Sequence, residues 1–163
     1  MATLAIINPA TGGQIDEVPA DDAATVALKA AQARAAQPRW QRVPLTERKA
    51  CIERFRALVV RDLESLARTL TLDTGKPIRQ ARNELNGLLG RIDFFLGAVE
   101  RSTGTETVFD EGGMREQIEH VPLGVVGNIS AWNYPWFVGG NVFVPALLTG
   151  NTIVIKPSEF TPN

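Results

Sequence analysis

Two short, almost entirely apolar segments separated by an apolar helix constrain the fold of this chain more than any other feature. Residues Gly124–Ile129 (GVVGNI) and Thr152–Lys156 (TIVIK) are typical of buried strands, and the segment from Trp136 to Leu148 is typical of a helix. This order predicts a βαβ unit with parallel strands, the beginning of a parallel sheet. Pro145 falls inside the helix and is expected to kink it or to displace its last turn.

The first hundred residues indicate helices packed around a shared core. An Ala-rich stretch, Ala23–Ala36, has Asp21 or Asp22 as a candidate N-cap, and Pro38 lies just beyond its predicted end. Its predicted apolar stripe consists of Ala23, Val26, Ala27, Ala30 and Ala33. The pattern therefore predicts a first helix that ends before Pro38.

Two further helices are predicted before residue 104. The first opens after Pro44, with Thr46 as N-cap, and ends at the Thr74–Pro77 segment, because glycine and proline stop a helix there. Its predicted buried side comprises Phe55, Leu58, Val59, Leu63, Leu66 and Leu70. The last helix presents Leu85, Leu88, Leu89, Ile92, Phe95, Leu96 and Val99 on one face.

A β-hairpin is predicted between these helices and the βαβ unit. Two short segments flank the turn-forming cluster Asp110–Gly113, and together they span Thr105–Val121. The predicted organisation is α/β, with residues 1–104 as a helical part, residues 105–121 as the hairpin and residues 122–163 as the βαβ unit. Nothing in the sequence follows the last strand to cover the sheet, so we expect a truncated domain.

Composition excludes several classes of function. The chain has 17 Lys and Arg against 18 Asp and Glu, so charge gives no reason to expect nucleic acid or an anionic membrane as a partner. No run of apolar residues is long enough to span a bilayer. One cysteine and the absence of a recognisable signal peptide favour a cytoplasmic location.

Polar side chains follow both predicted strands. Ligands of α/β proteins bind beyond the carboxyl ends of the strands, where SAWNYPW follows the first strand and KPSE completes the second. Asn133 could donate a hydrogen bond to a developing oxyanion, and Lys156 with Glu159 could hold a ribose. On turn chemistry alone Asn133 is more often structural, and no G-x-G-x-x-G fingerprint is present. Spacing therefore predicts only a ligand-binding rim.

The combined motifs resemble the NAD(P)-dependent aldehyde dehydrogenases over practically the whole chain. The resemblance rests on P-x-G-V-V-G, W-N-x-P, P-A-L-x-x-G-N and K-P-S-E-x-T-P, with INPATGG and DTGKPIRQARNEL upstream. One departure is Ala131, which stands where the family usually has proline before the Trp-Asn pair. The resemblance implies the N-terminal portion of such an enzyme. Residues 1–104 would then be the helical part of its cofactor-binding domain, and residues 122–163 the first βαβ unit of an incomplete Rossmann-like sheet that is truncated before the catalytic domain.

The resemblance also implies roles for individual residues. In the family a cysteine thiolate attacks the aldehyde, the amide matching Asn133 stabilises the thiohemiacetal oxyanion, hydride passes to nicotinamide, and a glutamate base assists thioester hydrolysis. The matching positions for the adenosine half of the coenzyme are the backbone around Ser130 and Trp132 and the side chains of Lys156 and Glu159, with Ser158 as a further candidate.

Further expectations follow from the resemblance. A carboxylate at Glu159 would repel a 2′-phosphate, which favours NAD, with NADP as the alternative. The hairpin at residues 105–121 resembles the arm through which family members form homo-oligomers. The family's nucleophile and base lie downstream of these residues, so the chain is expected to be inactive alone.

Other chemically reactive side chains have simpler interpretations. Cys51 lies in an early helix, where cysteine usually acts as a small hydrophobe. His120 has no second ligand nearby, so no metal site is predicted. Trp132 and Trp136 are expected to pack into the core, and Glu84 and Arg115 to lie on the surface.

Two other functional classes stay open. The chain could be a non-catalytic interaction module that pairs with a full-length relative through its hairpin. It could also be a nucleotide-binding protein without chemistry, although half a coenzyme site should bind weakly.

Overall fold

The computed structural model describes residues 2–162 and has mixed α/β architecture. Its strands and helices follow in this order: β1 Thr3–Ile7, β2 Gln14–Pro19, α1 Ala23–Trp40, α2 Leu45–Arg61, α3 Leu63–Thr74, α4 Ile78–Thr103, β3 Glu106–Glu111, β4 Met114–Ile118, β5 Val125–Ile129, α5 Pro135–Leu148 and β6 Thr152–Lys156. The predicted α/β class is confirmed.

The predicted βαβ unit is present. β5 and β6 pair in parallel, from Val125 opposite Thr152 to Ile129 opposite Lys156. Helix α5 connects them and continues through Pro145 to Leu148. The expected displacement of its last turn is not observed. Thr149 follows as the C-cap, and both its backbone N–H and its hydroxyl donate to the Pro145 carbonyl.

The core lies between α2, α3, α4 and α5. Its fully buried large side chains include Leu85, Leu88 and Ile92 on α4 and Val144 and Leu148 on α5. α4 and α5 approach so closely that a β-carbon on Gly140 would lie 2.3 Å from Leu88 Cδ1. This contact places the amino end of α5, and the loop before it, against the helical layer.

Helix α1 is attached by side-chain hydrogen bonds and buries no residue of its own. The Trp40 indole N–H donates to the Leu147 carbonyl at 3.0 Å, and the Thr152 hydroxyl donates to the Ala33 carbonyl at 2.9 Å. Asp22 caps its start, as predicted, by accepting from the Thr25 N–H. Pro38 lies inside the helix, contrary to prediction, because the Trp40 contact holds the last turn although proline removes one ladder hydrogen bond.

The helical interpretation of the first hundred residues was wrong at the amino terminus. β1 and β2 form an antiparallel hairpin before α1. β2 is mostly exposed and polar, so the alternation that marks a half-buried strand is weak there. Gly75, in the left-handed region at φ 73°, lies against Pro9 of this hairpin: a β-carbon there would be 2.9 Å from Pro9 Cγ.

The second predicted helix is two helices. α2 and α3 are separated at Asp62, and α2 begins at Leu45 with Pro44, not Thr46, in the N-cap position. Leu58, predicted to be buried, is 47% exposed. The other residues of the predicted buried side lie in or against the core, so the apolar stripe continues across the break: Phe55, Val59, Leu63, Leu66 and Leu70.

The predicted hairpin is also present. β3 and β4 are antiparallel, and Gly112 and Gly113 both adopt positive φ at the turn. Every residue of the two strands is exposed. The hairpin therefore extends from the rest of the described chain, while the domain boundaries at residues 104 and 121 stay a prediction.

Candidate functional site

The carboxyl ends of β5 and β6 bring two polar loops to one rim. Ile129 lies opposite Lys156, and the next residue, Ser130, donates its N–H to the Lys156 carbonyl at 3.0 Å. The loops 130–134 and 157–161 therefore leave the sheet side by side. This is the edge at which α/β proteins bind ligands.

Lys156 and Glu159 form an ion pair at this rim. Nζ and Oε2 are 2.8 Å apart, and both side chains are more than half exposed. The Lys156 hydrogen bond is the main reason why the pKa of Glu159 lies below its ordinary value. The rim thus offers an ammonium donor and an ionised carboxylate acceptor next to each other, the pair of groups that a vicinal diol can bridge.

The two candidate serines are buried. Ser158 Oγ accepts from the Phe160 N–H at 3.3 Å, and its carbonyl accepts from the Thr161 N–H, so Ser158 shapes the turn after β6. Ser130 Oγ is buried and has no hydrogen-bond partner among residues 2–162. Of the two serines, Ser130 lies nearer to the paired strands, because its backbone N–H donates to the Lys156 carbonyl at the end of β6.

Trp132 connects the two loops, and its expected burial in the core was wrong. It is 57% exposed, and its ring meets Phe160 edge-on, with centroids 6.1 Å apart. Trp132, Glu159 and Phe160 line one cavity of about 520 Å³ that extends to β1. The indole thus forms a wall of an open cavity beside the Lys156–Glu159 pair, whereas Trp136 packs against the core as expected.

Asn133 presents an exposed side chain on the same loop. Within the described residues its side-chain amide has no hydrogen-bond partner in the protein, so both its donors are available to a ligand. Its backbone is held: the Asn133 carbonyl accepts from Lys76 Nζ at 2.6 Å. A fixed backbone with a free amide is the arrangement that a hydrogen-bond donor for a reacting oxygen requires.

Glu84 was expected on the surface, and this expectation was wrong. Its side chain is fully buried and forms an ion pair with Lys76 at 2.5 Å. The sequence did contain a signal, because Glu84 lies at helical spacing between Ala81 and Leu88 on the buried face of α4. A carboxylate on an apolar face predicts a buried partner, which sequence reasoning missed.

The remaining reactive side chains lie elsewhere. Cys51 is half-buried on α2, with Sγ 2.9 Å from Arg54 Nη2, and lines a cavity of about 670 Å³ against α1 and α5. His120 is exposed, and Arg115 pairs with Asp110 on the hairpin as a surface residue. Across residues 2–162, no three His, Cys, Asp or Glu side chains are grouped as metal ligands would be.

No helix in the described part of the chain combines the length and the apolar character needed to cross a bilayer.

A family model and individual relatives match the chain along its length. The model of the aldehyde dehydrogenase family matches residues 2–163. The chain is 37% identical over 163 residues to a 3,6-anhydro-alpha-L-galactose dehydrogenase of Streptomyces coelicolor, a match that covers 98% of this chain and 32% of that protein. The chain therefore spans about a third of the length of the curated relatives it matches.

Solved structures give the same result. An aldehyde dehydrogenase from Brucella melitensis biovar abortus 2308 superposes with a TM-score of 0.94 at 27% identity, over 99% of this chain and 33% of that one. PnpE, solved in complex with nicotinamide adenine dinucleotide, superposes with a TM-score of 0.92 at 32% identity, again over 99% of this chain and 33% of that one.

Proposed function

The chain belongs to the aldehyde dehydrogenase family, and on that premise we propose that its rim is part of the site for NAD(P)-dependent oxidation of an aldehyde to a carboxylic acid. The observation that carries the proposal is the register of Ile129 with Lys156, because it brings the Asn133 loop and the Lys156–Glu159 pair to one edge. The family supplies the reaction, and the rim supplies groups that fit it.

Lys156 and Glu159 fit the adenosine ribose of a dinucleotide coenzyme. Their pair is exposed, so ribose hydroxyls can accept from the ammonium group and donate to the carboxylate without breaking a buried contact. The Ser130 and Trp132 backbone would border the same half of the coenzyme, while the buried Ser158 hydroxyl acts only through the turn it stabilises. A bound coenzyme would supply the nicotinamide ring that takes the hydride from the aldehyde carbon.

Asn133 fits the role of oxyanion donor. Its free amide would donate to the aldehyde oxygen as that atom gains negative charge, a contact whose loss typically costs about 3–4 kcal/mol of barrier lowering. The donor is useful only if its position is fixed before the reaction, and the Lys76 hydrogen bond to the Asn133 carbonyl supports this. The substrate class is an aldehyde.

The coenzyme is NAD in this proposal, with NADP as the weaker ligand. Glu159 is ionised at neutral pH, and Lys156 lowers its pKa further, so a 2′-phosphate near the ribose would meet a negative charge. Replacing Glu159 with Gln should therefore narrow the preference for NAD over NADP. The PnpE structure supports NAD only for that protein.

An NMR titration of the purified chain with NAD tests the proposed site. We expect weak binding, because the proposed ribose contacts involve only one part of the coenzyme, with chemical-shift changes confined to residues 130–133 and 156–160. The control is Asp110→Asn, on the distant hairpin, which should bind as the unaltered chain does. Shifts centred elsewhere would contradict the site, and tight binding would favour a nucleotide-binding protein.

The isolated chain should not oxidise aldehydes. Its single cysteine, Cys51, lies on α2 and lines a different cavity from the one that contains Trp132 and Glu159. The assay is NAD reduction with a panel of aldehydes. Reduction above background that is abolished by Cys51→Ser would overturn this expectation.

A second candidate is an interaction module, favoured by the hairpin. Every residue of β3 and β4 is exposed, including Val108, Phe109, Met114 and Ile118. Unpaired strand edges are templates for pairing with another chain, here a second copy or a full-length relative in the cytoplasm. Size-exclusion chromatography with and without such a relative tests this, with Asp110→Pro as the disrupting variant. A chain that stays monomeric in both cases counts against it.

A further inference from the structure

A buried ion pair joins α4 to the loop that carries Asn133. Lys76 lies between α3 and α4, and Glu84 lies on the buried face of α4, nearly two turns from its start. Their side chains are 10% and 0% exposed. Neither residue belongs to the proposed coenzyme site. Their contacts nevertheless extend to the segment 133–137.

Glu84 caps α5 from a different helix. Its Oε1 accepts from the Trp136 N–H at 2.9 Å and from the Phe137 N–H at 3.3 Å. The first N–H groups of a helix have no partner within it, and Tyr134, the N-cap residue, provides no side-chain hydrogen bond to them. The first turn of α5 contains no acidic residue either, so Glu84 supplies the negative charge favoured at a helix N-terminus.

Lys76 holds the other end of the same segment. Its Nζ donates to Glu84 Oε2 and to the Asn133 carbonyl, and it lies 4.4 Å from the centre of the Tyr134 ring. The pair therefore fixes both sides of the turn: the carbonyl of Asn133 before Pro135 and the amides of Trp136 and Phe137 after it.

The energetics indicate a role in orientation. A buried ion pair is weak evidence for stability, because well-packed apolar residues of similar volume often stabilise a protein equally or better. Apolar residues cannot accept hydrogen bonds from the two α5 amides, and they cannot donate a hydrogen bond to the Asn133 carbonyl. The ion pair therefore fixes the direction of this turn, which a hydrophobic pair would not do.

We propose that Lys76 and Glu84 are positioning residues that orient the Asn133 amide toward the aldehyde oxygen. This inference rests on the role of Asn133 proposed above. The pair acts through the backbone, since neither side chain contacts the Asn133 amide itself.

The test compares two double variants of the whole chain. Lys76→Met with Glu84→Leu removes the buried pair. The control, Glu64→Leu with Arg82→Met, removes an exposed pair that joins α3 to α4, with its nitrogen and oxygen atoms 2.8 Å apart. Lys76→Arg is the conservative variant. The readouts are hydrogen exchange at the Trp136 and Phe137 amides, divided by exchange at buried α4 amides, and the NMR order parameter of Asn133.

Removal of the buried pair should make the two α5 amides exchange about tenfold faster relative to α4, the factor expected for the loss of one hydrogen bond. The Asn133 order parameter should fall from about 0.85 to below about 0.6. The control and Lys76→Arg should change neither readout.

Three outcomes overturn the proposal. They are an equal change at α5 and α4, an Asn133 loop that stays ordered without the pair, and failure of the apolar double variant to fold, which would make the pair a requirement of the fold. These measurements need neither coenzyme nor aldehyde, so their outcome is independent of the NAD titration that tests the proposed site.

Discussion

Asn133 and Asn151 stand at opposite ends of α5 and perform different tasks. Asn151 is buried: its Oδ1 accepts from the Gly124 N–H at 2.8 Å and its Nδ2 donates to the Thr149 hydroxyl. It thereby ties the end of the helix to the start of β5. Asn133 is exposed and its side chain has no protein partner in residues 2–162, so its side chain contributes little to the fold.

Substitution by alanine should separate the two roles. Asn151→Ala leaves the Gly124 N–H without its acceptor and should lower the free energy of unfolding by about 1–3 kcal/mol. Asn133→Ala should change it by no more than about 0.5 kcal/mol. Urea denaturation measures both, and an Asn133 variant as destabilised as the Asn151 variant would show that the amide is structural.

Glu159 provides a pH-dependent test at the rim. Its hydrogen bond to Lys156 lowers its pKa, so the pair is present at neutral pH and is lost as the pH falls through that lowered value. An NMR carboxyl titration should give a pKa below the ordinary value of about 4.3. Lys156→Met should return it toward that value, and a pKa that is the same in both proteins would show that no pair forms in solution.

At the scale of elements, the packing of α4 against α5 determines where the candidate site lies. Gly140 makes this approach possible because Leu88 occupies the space that a side chain would need. Leu88 is fully buried and cannot move aside easily. Helix α5, which follows the Asn133 loop, can therefore pack closely against the core because Gly140 has no side chain.

Gly140→Ala should cost about 1–3 kcal/mol through overpacking. The matched control is Gly97→Ala on α4, which has no neighbouring atoms within 4 Å and should stabilise the chain by roughly 0.5–1 kcal/mol through helix propensity. Thermal unfolding of the two variants gives the comparison. Equal stabilisation of both would mean that α4 and α5 are farther apart than described.

Many of the helices and strands were predictable from the sequence. The parallel strands, their connecting helix and the β3–β4 hairpin follow from apolar runs and turn residues, which act locally. The break at Asp62, the exposure of Trp132 and the burial of Glu84 depend on what lies opposite each residue, and a single sequence does not contain that information. The positions of Lys156 and Asn133 were predictable because each follows the end of a predicted strand. The contacts that hold their loops come from distant parts of the chain and were not predictable.

At the scale of the molecule, stability is distributed unevenly. α4 carries fully buried side chains such as Leu85 and Ile92, while β3 and β4 bury none. Local opening requires little free energy where few contacts must break. We therefore expect the helical core and the hairpin to open independently.

Native-state hydrogen exchange checks this expectation. Amides of α4 around Leu88 should exchange at least about 1,000-fold more slowly than those of β3 and β4, which corresponds to roughly 4 kcal/mol. Dilution should leave the α4 rates unchanged. If the hairpin instead shows high protection that falls on dilution, it is paired with a second copy, and the interaction-module candidate gains support.

The attachment of α1 has a consequence for synthesis on the ribosome. The Trp40 indole binds the Leu147 carbonyl, 107 residues farther along the chain, and the Ala33 carbonyl binds the Thr152 hydroxyl, 119 residues farther along. At about 5–20 residues per second, the nascent helix leaves the ribosome roughly 5–24 s before those partners do. During that interval α1 has no docking surface, so chaperones and proteases encounter it first.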